Sequence, residues 1–300
     1  MKVFMTGASG RIGSHIIPHL VERGHTITGL VRSSVSAEKV MAFGPSAQPL
    51  YGDISDCNLL ISTTKSHDAV VHCAMDLSSG PEAGAQKDRE TVLLFGNALE
   101  TTEKFFVMSS PTGLLQSPAD EQSLPSATRG TRAGTEIAML GFKDRGIRSI
   151  ALRLAVITHN PEKMHPILGL LLSAVDKLGY IPYLGENRWS ACHSDDAGLL
   201  CALALESADP GTAVHAVDEC IKVKDIAEAL GRKTGLKVAQ VEQDRLSELG
   251  FLSFLLTLDQ DVGTQLTSER FGWQPKGQRL LAEIAAAGQE YFQIDHVKRM

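Results

Sequence analysis

Along the first half of the chain, short continuous apolar runs alternate with longer stretches in which apolar residues recur at helical spacing. The runs are KVFM (Lys2–Met5), TITGLV (Thr26–Val31), AVVHCA (Ala69–Ala74), KFFVMS (Lys104–Ser109) and SIALRL (Ser149–Leu154). Continuous apolar character suits strands buried on both faces, and alternation with helices predicts βαβ units joined by right-handed crossovers. The expected fold class is therefore α/β, a doubly wound parallel sheet. Between the first two runs, Ile12, Ile16, Ile17, Leu20 and Val21 keep helical spacing, and Gly24 supplies a stop. Pro18 conflicts with that helix and predicts a bend there or a later helix start.

After about Val156 the rhythm changes. Helices are expected near Pro166–Leu178, Asp195–Leu205, Val223–Thr234 and Gln278–Phe292, with short strands and the loop GYIPYLGENRW between them. This describes a smaller C-terminal substrate lobe laid over the sheet's C-terminal edge, where open α/β sheets bind ligands. Residues 1–157 are expected to form the sheet domain and 158–300 the mixed α/β lobe, with part of 192–220 returning to the first core.

Charge narrows the partners. The net charge of −6 comes from 35 acidic and 29 basic residues that are interspersed, so no polybasic nucleic-acid face is expected and a small-molecule substrate is. Cys57, Cys73, Cys192, Cys201 and Cys220 are odd in number and lack metal-type spacing, which suits reduced thiols in a cytoplasmic setting and predicts no metal site. The longest apolar run, ILGLLLSAV (Ile167–Val175), is about half a membrane span, so no membrane partner is expected. Outer helices of such sheets often pair across a two-fold axis, which leaves a homodimer open.

The most informative stretch is MTGASGRIGSH (Met5–His15). After a strand and before a helix, Gly7 allows a tight turn, Gly10 a close approach to a pyrophosphate and Gly13 close helix–sheet packing, while the helix start offers free N–H groups. This is a Rossmann-like dinucleotide site. An NAD site carries Asp or Glu at the end of the second strand; here that end reads GLVRSS, placing Arg32 where the acid belongs, with Ser33 beside it. With Arg11 inside the glycine turn, two guanidiniums are expected to clasp a 2′-phosphate, favouring NADP(H) over NAD(H).

With these motifs the chain resembles a short-chain dehydrogenase/reductase of the extended or atypical branch, with an NAD-dependent epimerase/dehydratase-like domain. The resemblance rests on TGASGRIG, GDISD (Gly52–Asp56), VVHCAM, VMSSPTG and LRLAVIT, and later on NRWSACHSDDAG and FGWQP, spanning roughly Lys2–Ala286. It implies that Ser9 and Ile12 join the turn, that Asp53 and Ile54 flank the adenine, and that Cys73 and Ala74 run along the cofactor. By the same resemblance Ala155–Thr158, including Ile157, lies near the nicotinamide.

Hydride-transferring members of that family use Ser, Tyr and, four residues later, Lys. The phenol passes the proton, the ammonium assists it and binds ribose, and Ser holds the oxyanion. No YxxxK occurs among the four tyrosines. Alignment through Glu136 puts Thr128 at the Tyr position and Arg132 at the Lys position, and the Ser position on Pro111, flanked by Ser110 and Thr112. Arg132 is expected to bind ribose, but a guanidinium is a poor proton relay. His193 in ACHSDD is the best alternative acid, since imidazole titrates near neutrality, with Asp195 or Asp196 to orient it. Met75, Tyr183 and Trp189 are the expected substrate contacts. The functional expectation is an NADP(H)-dependent reductase of a small carbonyl-, enone- or imine-like substrate; a non-catalytic NADP(H) sensor and a non-redox lyase or isomerase are the competitors.

Overall fold

The computed structural model describes residues 1–76 and 78–292; the last eight residues of the expected lobe fall outside them. In chain order, β1 (Lys2–Thr6) leads into α1 (Gly13–Glu22), followed by β2 (Thr26–Val31), α2 (Ser34–Met41), β3 (Ala47–Tyr51), α3 (Cys57–Ser66) and β4 (Ala69–His72). Then come α4 (Pro81–Leu99), β5 (Phe105–Pro111), α5 (Thr131–Leu140) and β6 (Arg148–Leu154). The second half contains β7 (Ile157–His159), α6 (Pro166–Ser173), α7 (Val175–Leu178), β8 (Ile181–Tyr183), β9 (Arg188–His193), α8 (Ser194–Ser207) and β10 (Thr212–Ala216). It ends with β11 (Glu219–Lys222), α9 (Val223–Thr234), β12 (Val238–Gln240), α10 (Phe251–Thr257), α11 (Gln265–Phe271) and α12 (Leu280–Ala286).

Seven strands form one parallel sheet in the order β10-β6-β5-β4-β1-β2-β3. This is the doubly wound, Rossmann-like α/β architecture. β1 pairs with both β2 and β4, so the winding reverses there and the strand ends part to leave a crevice. One sheet face packs Val3, Met5, Val107 and Leu152 against Ile16, Ile17 and Leu20 of α1 and Leu200 and Leu205 of α8. The other face carries an aromatic chain, Phe4, Phe95, Phe106 and Phe142. A separate apolar cluster around Leu168, Leu171, Trp189, Ile226 and Leu256 holds the second lobe. Among the described residues, no helix is long and apolar enough to cross a membrane.

Several elements differ from the pattern reading. β3 is AQPLY, in which only Ala47 is fully buried; it lies at the sheet edge, where Pro49 is tolerated because the outer rim needs no amide donor. β10, inside the 192–220 stretch expected to return to the first core, pairs with β6. The stretch 166–178 breaks at Ala174 into two helices. Residues 278–292 form α12 and a separate 3₁₀ turn, Gln289–Phe292. α1 starts at Gly13 with Pro18 inside it, so the later start does not occur and the Ser14 carbonyl lacks its intrahelical amide.

β6 and β10 carry a buried polar assembly. Arg153 donates through Nε to Glu136 at 2.8 Å and through NH2 to the Ser123 carbonyl at 2.7 Å, pinning the loop after β5. Neither Arg153 nor Glu136 is exposed; a buried charge survives only when paired and hydrogen-bonded in this way. His215, directly opposite Arg153 in the ladder, donates from Nδ1 to the Gly263 carbonyl at 2.7 Å and accepts at Nε2 from Arg153 at 3.0 Å. Burial and the Arg153 charge push the His215 pKa down to about 4. The unfolded imidazole titrates near 6.5, so the native state binds fewer protons between these values and stability falls as pH drops through that window. Urea unfolding of the wild type is expected to show a lower stability at pH 5 than at pH 7, by up to ~1.4 kcal/mol per pH unit from this group. His215→Gln should flatten that slope; an equal slope in the variant would remove His215 as its cause.

Candidate active site

The chain leaves β1 at Gly7, which has φ +72°. A Cβ on Gly7 would lie 2.7 Å from the Cys73 carbonyl carbon and the Ala74 nitrogen, and one on Gly13 would lie 2.2 Å from the Gly7 carbonyl oxygen. Both positions therefore demand glycine, one for handedness and contact, the other for contact alone. α1 begins without a side-chain cap and without an acidic residue in its first turn. Its free N–H groups and positive dipole end suit a diphosphate. The residues fit a dinucleotide.

From this turn a groove of about 380 Å³ runs across the strand ends. Gly7, Ser9, Gly10, Arg11 and Ile12 form one wall, Arg32 and Ser36 close the end beyond β2, Asp53 and Ile54 follow β3, and Cys73 to Asp76 follow β4. A larger hollow of about 480 Å³ lies on the outer face, with Ile61 of α3 and Leu93 and Leu94 of α4 along it. No glycine turn or strand end opens there, so the chemistry belongs to the groove.

Within the groove the expected residues divide. Arg32 is exposed at the end of β2, as the charge argument requires. Asp53 accepts from the amide and hydroxyl of Ser55 at 2.9 and 2.7 Å, and these bonds hold its carboxyl below the usual carboxylate range. Asp76 pairs with Lys87 at 3.1 Å, and Met75 is exposed beside it. Arg11 departs from expectation: NH1 and NH2 donate to the carbonyls of Lys163 and Met164 at 2.9 and 3.0 Å. Its guanidinium thus bridges the glycine turn to the second lobe instead of joining Arg32. Ser33 caps α2, its hydroxyl accepting from the Ser36 amide, and Ser36 lines the groove in its place. Ala155 and Ile157 are buried in the two cores, and neither lines the groove.

The expected catalytic and substrate groups are mostly engaged inside the protein. Ser110 donates to Glu136 and is 1% exposed. Thr112 is fully buried and shares a hydrogen bond of 3.0 Å with Ser190, which also donates to Gln260; this joins β5 to the second lobe. His193 is the N-cap of α8, its Nδ1 accepting from the Asp195 amide. Its supposed orienters are elsewhere: Asp195 meets His19, and Asp196 accepts from the amides of Lys276 and Gly277. Trp189 is fully buried and donates to the Leu255 carbonyl at 2.8 Å, so it is core and not a substrate contact. Tyr183 packs at the margin of that core under Lys224. Thr128 is exposed in a 3₁₀ turn, bonded to Ser126. Arg132 stands in the first turn of α5, 2.5 Å from Asp88 and donating to the Ser109 carbonyl at 2.8 Å.

Two groups at this site went unread in the sequence, although each left a trace. Asp88 lies on the helical stripe of Ala85, Val92, Phe95 and Leu99, where a carboxylate must have a buried partner. His72 ends a run of apolar strand residues, which imposes the same demand.

Comparison with known proteins agrees with this geometry. The family model described as NAD(P)H-binding matches residues 7–164, more than half of the chain. An uncharacterised protein of Schizosaccharomyces pombe is 33% identical, covering 95% of this chain and 99% of its own. The sterol-4-alpha-carboxylate 3-dehydrogenase, decarboxylating, of Dictyostelium discoideum is 24% identical over 72% of this chain and 71% of its own. The structure of UDP-glucose 4-epimerase from Thermotoga maritima, 19% identical, covers 97% of this chain and 98% of its own with a TM-score of 0.72, a likeness of fold. With its glycine turn, its groove at the switch point and the matched span all coinciding, the chain belongs to the NAD(P)H-binding family, on a fold of the short-chain dehydrogenase/reductase and epimerase/dehydratase type.

Proposed function

We propose that this protein is an NADP(H)-dependent oxidoreductase that reduces a small carbonyl-, enone- or imine-like compound. The observation that carries the cofactor choice is Arg32, exposed at the end of β2 and lining the groove, where an NAD site would present a carboxylate. Ser36 supplies a hydroxyl beside it. Arg11 grips the second lobe, so the 2′-phosphate falls to Arg32. The dehydrogenase named among the relatives supports redox chemistry in general.

When bound, the reduced nicotinamide supplies the hydride. The chain's own part is to seat the diphosphate on α1, to hold the ribose near Arg132 and to orient the acceptor. Ser110, Thr112 and His193 are committed to structural bonds, and a guanidinium does not relay protons. Solvent water or the substrate's own heteroatom is therefore the proton source in this reading. That same commitment of polar groups supports a second reading, an NADP(H)-binding sensor without turnover.

Calorimetry is expected to show NADPH binding more tightly than NADH, by about tenfold or more, the worth of one charge-assisted contact. Arg32→Glu should erase that preference. Equal affinities in the wild type would remove the NADP(H) preference, tighter NADH binding would assign the groove to NAD(H), and heat from neither cofactor would remove the assignment altogether. Because His193 is a helix cap, His193→Gln should retain NADPH oxidation by any active carbonyl compound while costing about 1 kcal/mol of stability. Loss of turnover with an unchanged Tm would restore His193 as the acid. NADPH binding without turnover across ketones, enones and imines would favour the sensor.

A further inference from the structure

Under the groove, polar groups from five elements form one continuous line. Thr6 at the end of β1 meets His72 at the end of β4, Oγ1 to Nδ1, at 2.6 Å. His72 Nε2 meets Asp88 Oδ1 of α4 at 3.1 Å. Asp88 Oδ2 lies 2.5 Å from Arg132 NH1 on α5, and Arg132 NH2 donates to the Ser109 carbonyl of β5 at 2.8 Å. Thr6, His72 and Asp88 are at most 3% exposed. A carboxylate only accepts, so Nε2 carries an imidazole hydrogen, while Nδ1 and the Thr6 hydroxyl share the second hydrogen bond. Burial pushes the Asp88 carboxyl up, but the His72 hydrogen bond and the Arg132 charge outweigh it and leave the group below its usual range. Asp88 is thus an ionised carboxylate that accepts from His72 through Oδ1 and is ion-paired with Arg132 through Oδ2, an oxygen with no well-directed hydrogen bond of its own among the described residues.

Stability alone accounts poorly for this arrangement, because a buried ion pair is commonly replaceable by apolar packing at no loss. Its distinct effect is orientation. An ammonium offers three rotatable donors and reaches a diol from many directions, whereas a guanidinium delivers its five only in one plane and must be aimed. Among the described residues Arg132 makes only the two contacts above, leaving its other N–H groups free of protein partners. Arg132 reaches the edge of the groove through Ser109, whose carbonyl it binds and whose hydroxyl donates to the carbonyl of His72, the residue before the groove-lining Cys73.

We propose that Asp88 is a positioning residue: buried beneath the groove and fixed by His72 and Thr6, it aims the Arg132 guanidinium at the hydroxyls of the nicotinamide ribose. This rests on the assignment of the groove to NADP(H). The line is then a mechanical support, with Thr6 setting His72, His72 setting Asp88 and Asp88 setting the plane of the donor that meets the ligand.

Two probes separate this role from a general loss of fold: NADPH, and adenosine 2′,5′-bisphosphate, which lacks the nicotinamide half. Asp88→Asn is expected to weaken NADPH about tenfold, the size of one lost charge-assisted hydrogen bond, with the bisphosphate unchanged. Arg132→Ala should match it, and the double variant should be no weaker than Arg132→Ala alone, since both remove one contact. Should Asp88→Asn fail to fold, Thr6→Val keeps every charge and should give a smaller loss confined to NADPH. Equal losses on both probes, or an unchanged NADPH affinity, would overturn the positioning role. Wild-type binding of neither probe would fell the cofactor assignment and this role with it, whereas wild-type binding of the bisphosphate with no variant effect overturns the role alone.

Discussion

The structure depends on a close crossing of backbones at the end of β1. Gly7 touches the Cys73–Ala74 peptide, and Gly13 touches the Gly7 carbonyl. No side chain fits at either contact, and the absence of side chains brings the start of α1 against the strand ends with its amides uncovered. Strand order, groove and anion cradle follow from that approach. β1 must lie between β2 and β4 for it to occur, and the groove is the space its two neighbours leave.

Around this crossing, the polar residues that look catalytic in a linear reading serve to join layers. Ser110 completes the Glu136–Arg153 assembly, Thr112 links to Ser190 and Gln260, and His193 caps α8. Glu283 plays a similar part in the second lobe, accepting from His159 at 2.7 Å and from Tyr291 at 2.8 Å. Ser110, Thr112 and Glu283 are buried and His193 is half-buried, and a buried polar group without a partner is costly. The result is a protein whose nucleotide groove is intact while the acid–base groups of a reductase are either absent or occupied. Hydride transfer tolerates this better than acyl or phosphoryl chemistry does, because positioning supplies much of its rate.

Arg11 shows how one residue changes meaning with its surroundings. In the glycine turn it reads as a phosphate ligand; in three dimensions it reaches across to the carbonyls of Lys163 and Met164. The two lobes are thereby tied at the edge of the groove, and the second lobe takes part in shaping the site without contributing a side chain to the glycine turn itself. Arg32 has no such partner among the described residues and stays exposed at the end of β2, lining the groove.

The amino-acid sequence by itself determined the parallel sheet, the glycine turn, the order of the first helices and the place of Arg32. These are local properties: apolar runs, spacing, and the steric permission that only glycine gives. It also carried the loss of the Tyr–Lys pair, visible as the absence of YxxxK. The tertiary structure decided what each polar side chain meets. β3 lacks a continuous apolar run and cannot be read alone, so its place comes from β2, its neighbour in the sheet. Ser110, Trp189 and Arg11 changed role because their partners lie 26 to 153 positions away in the chain, whereas His193 is held by a local cap on the Asp195 amide. Hydrogen-bond partners at such separations are set by packing geometry, which no spacing rule along the chain encodes.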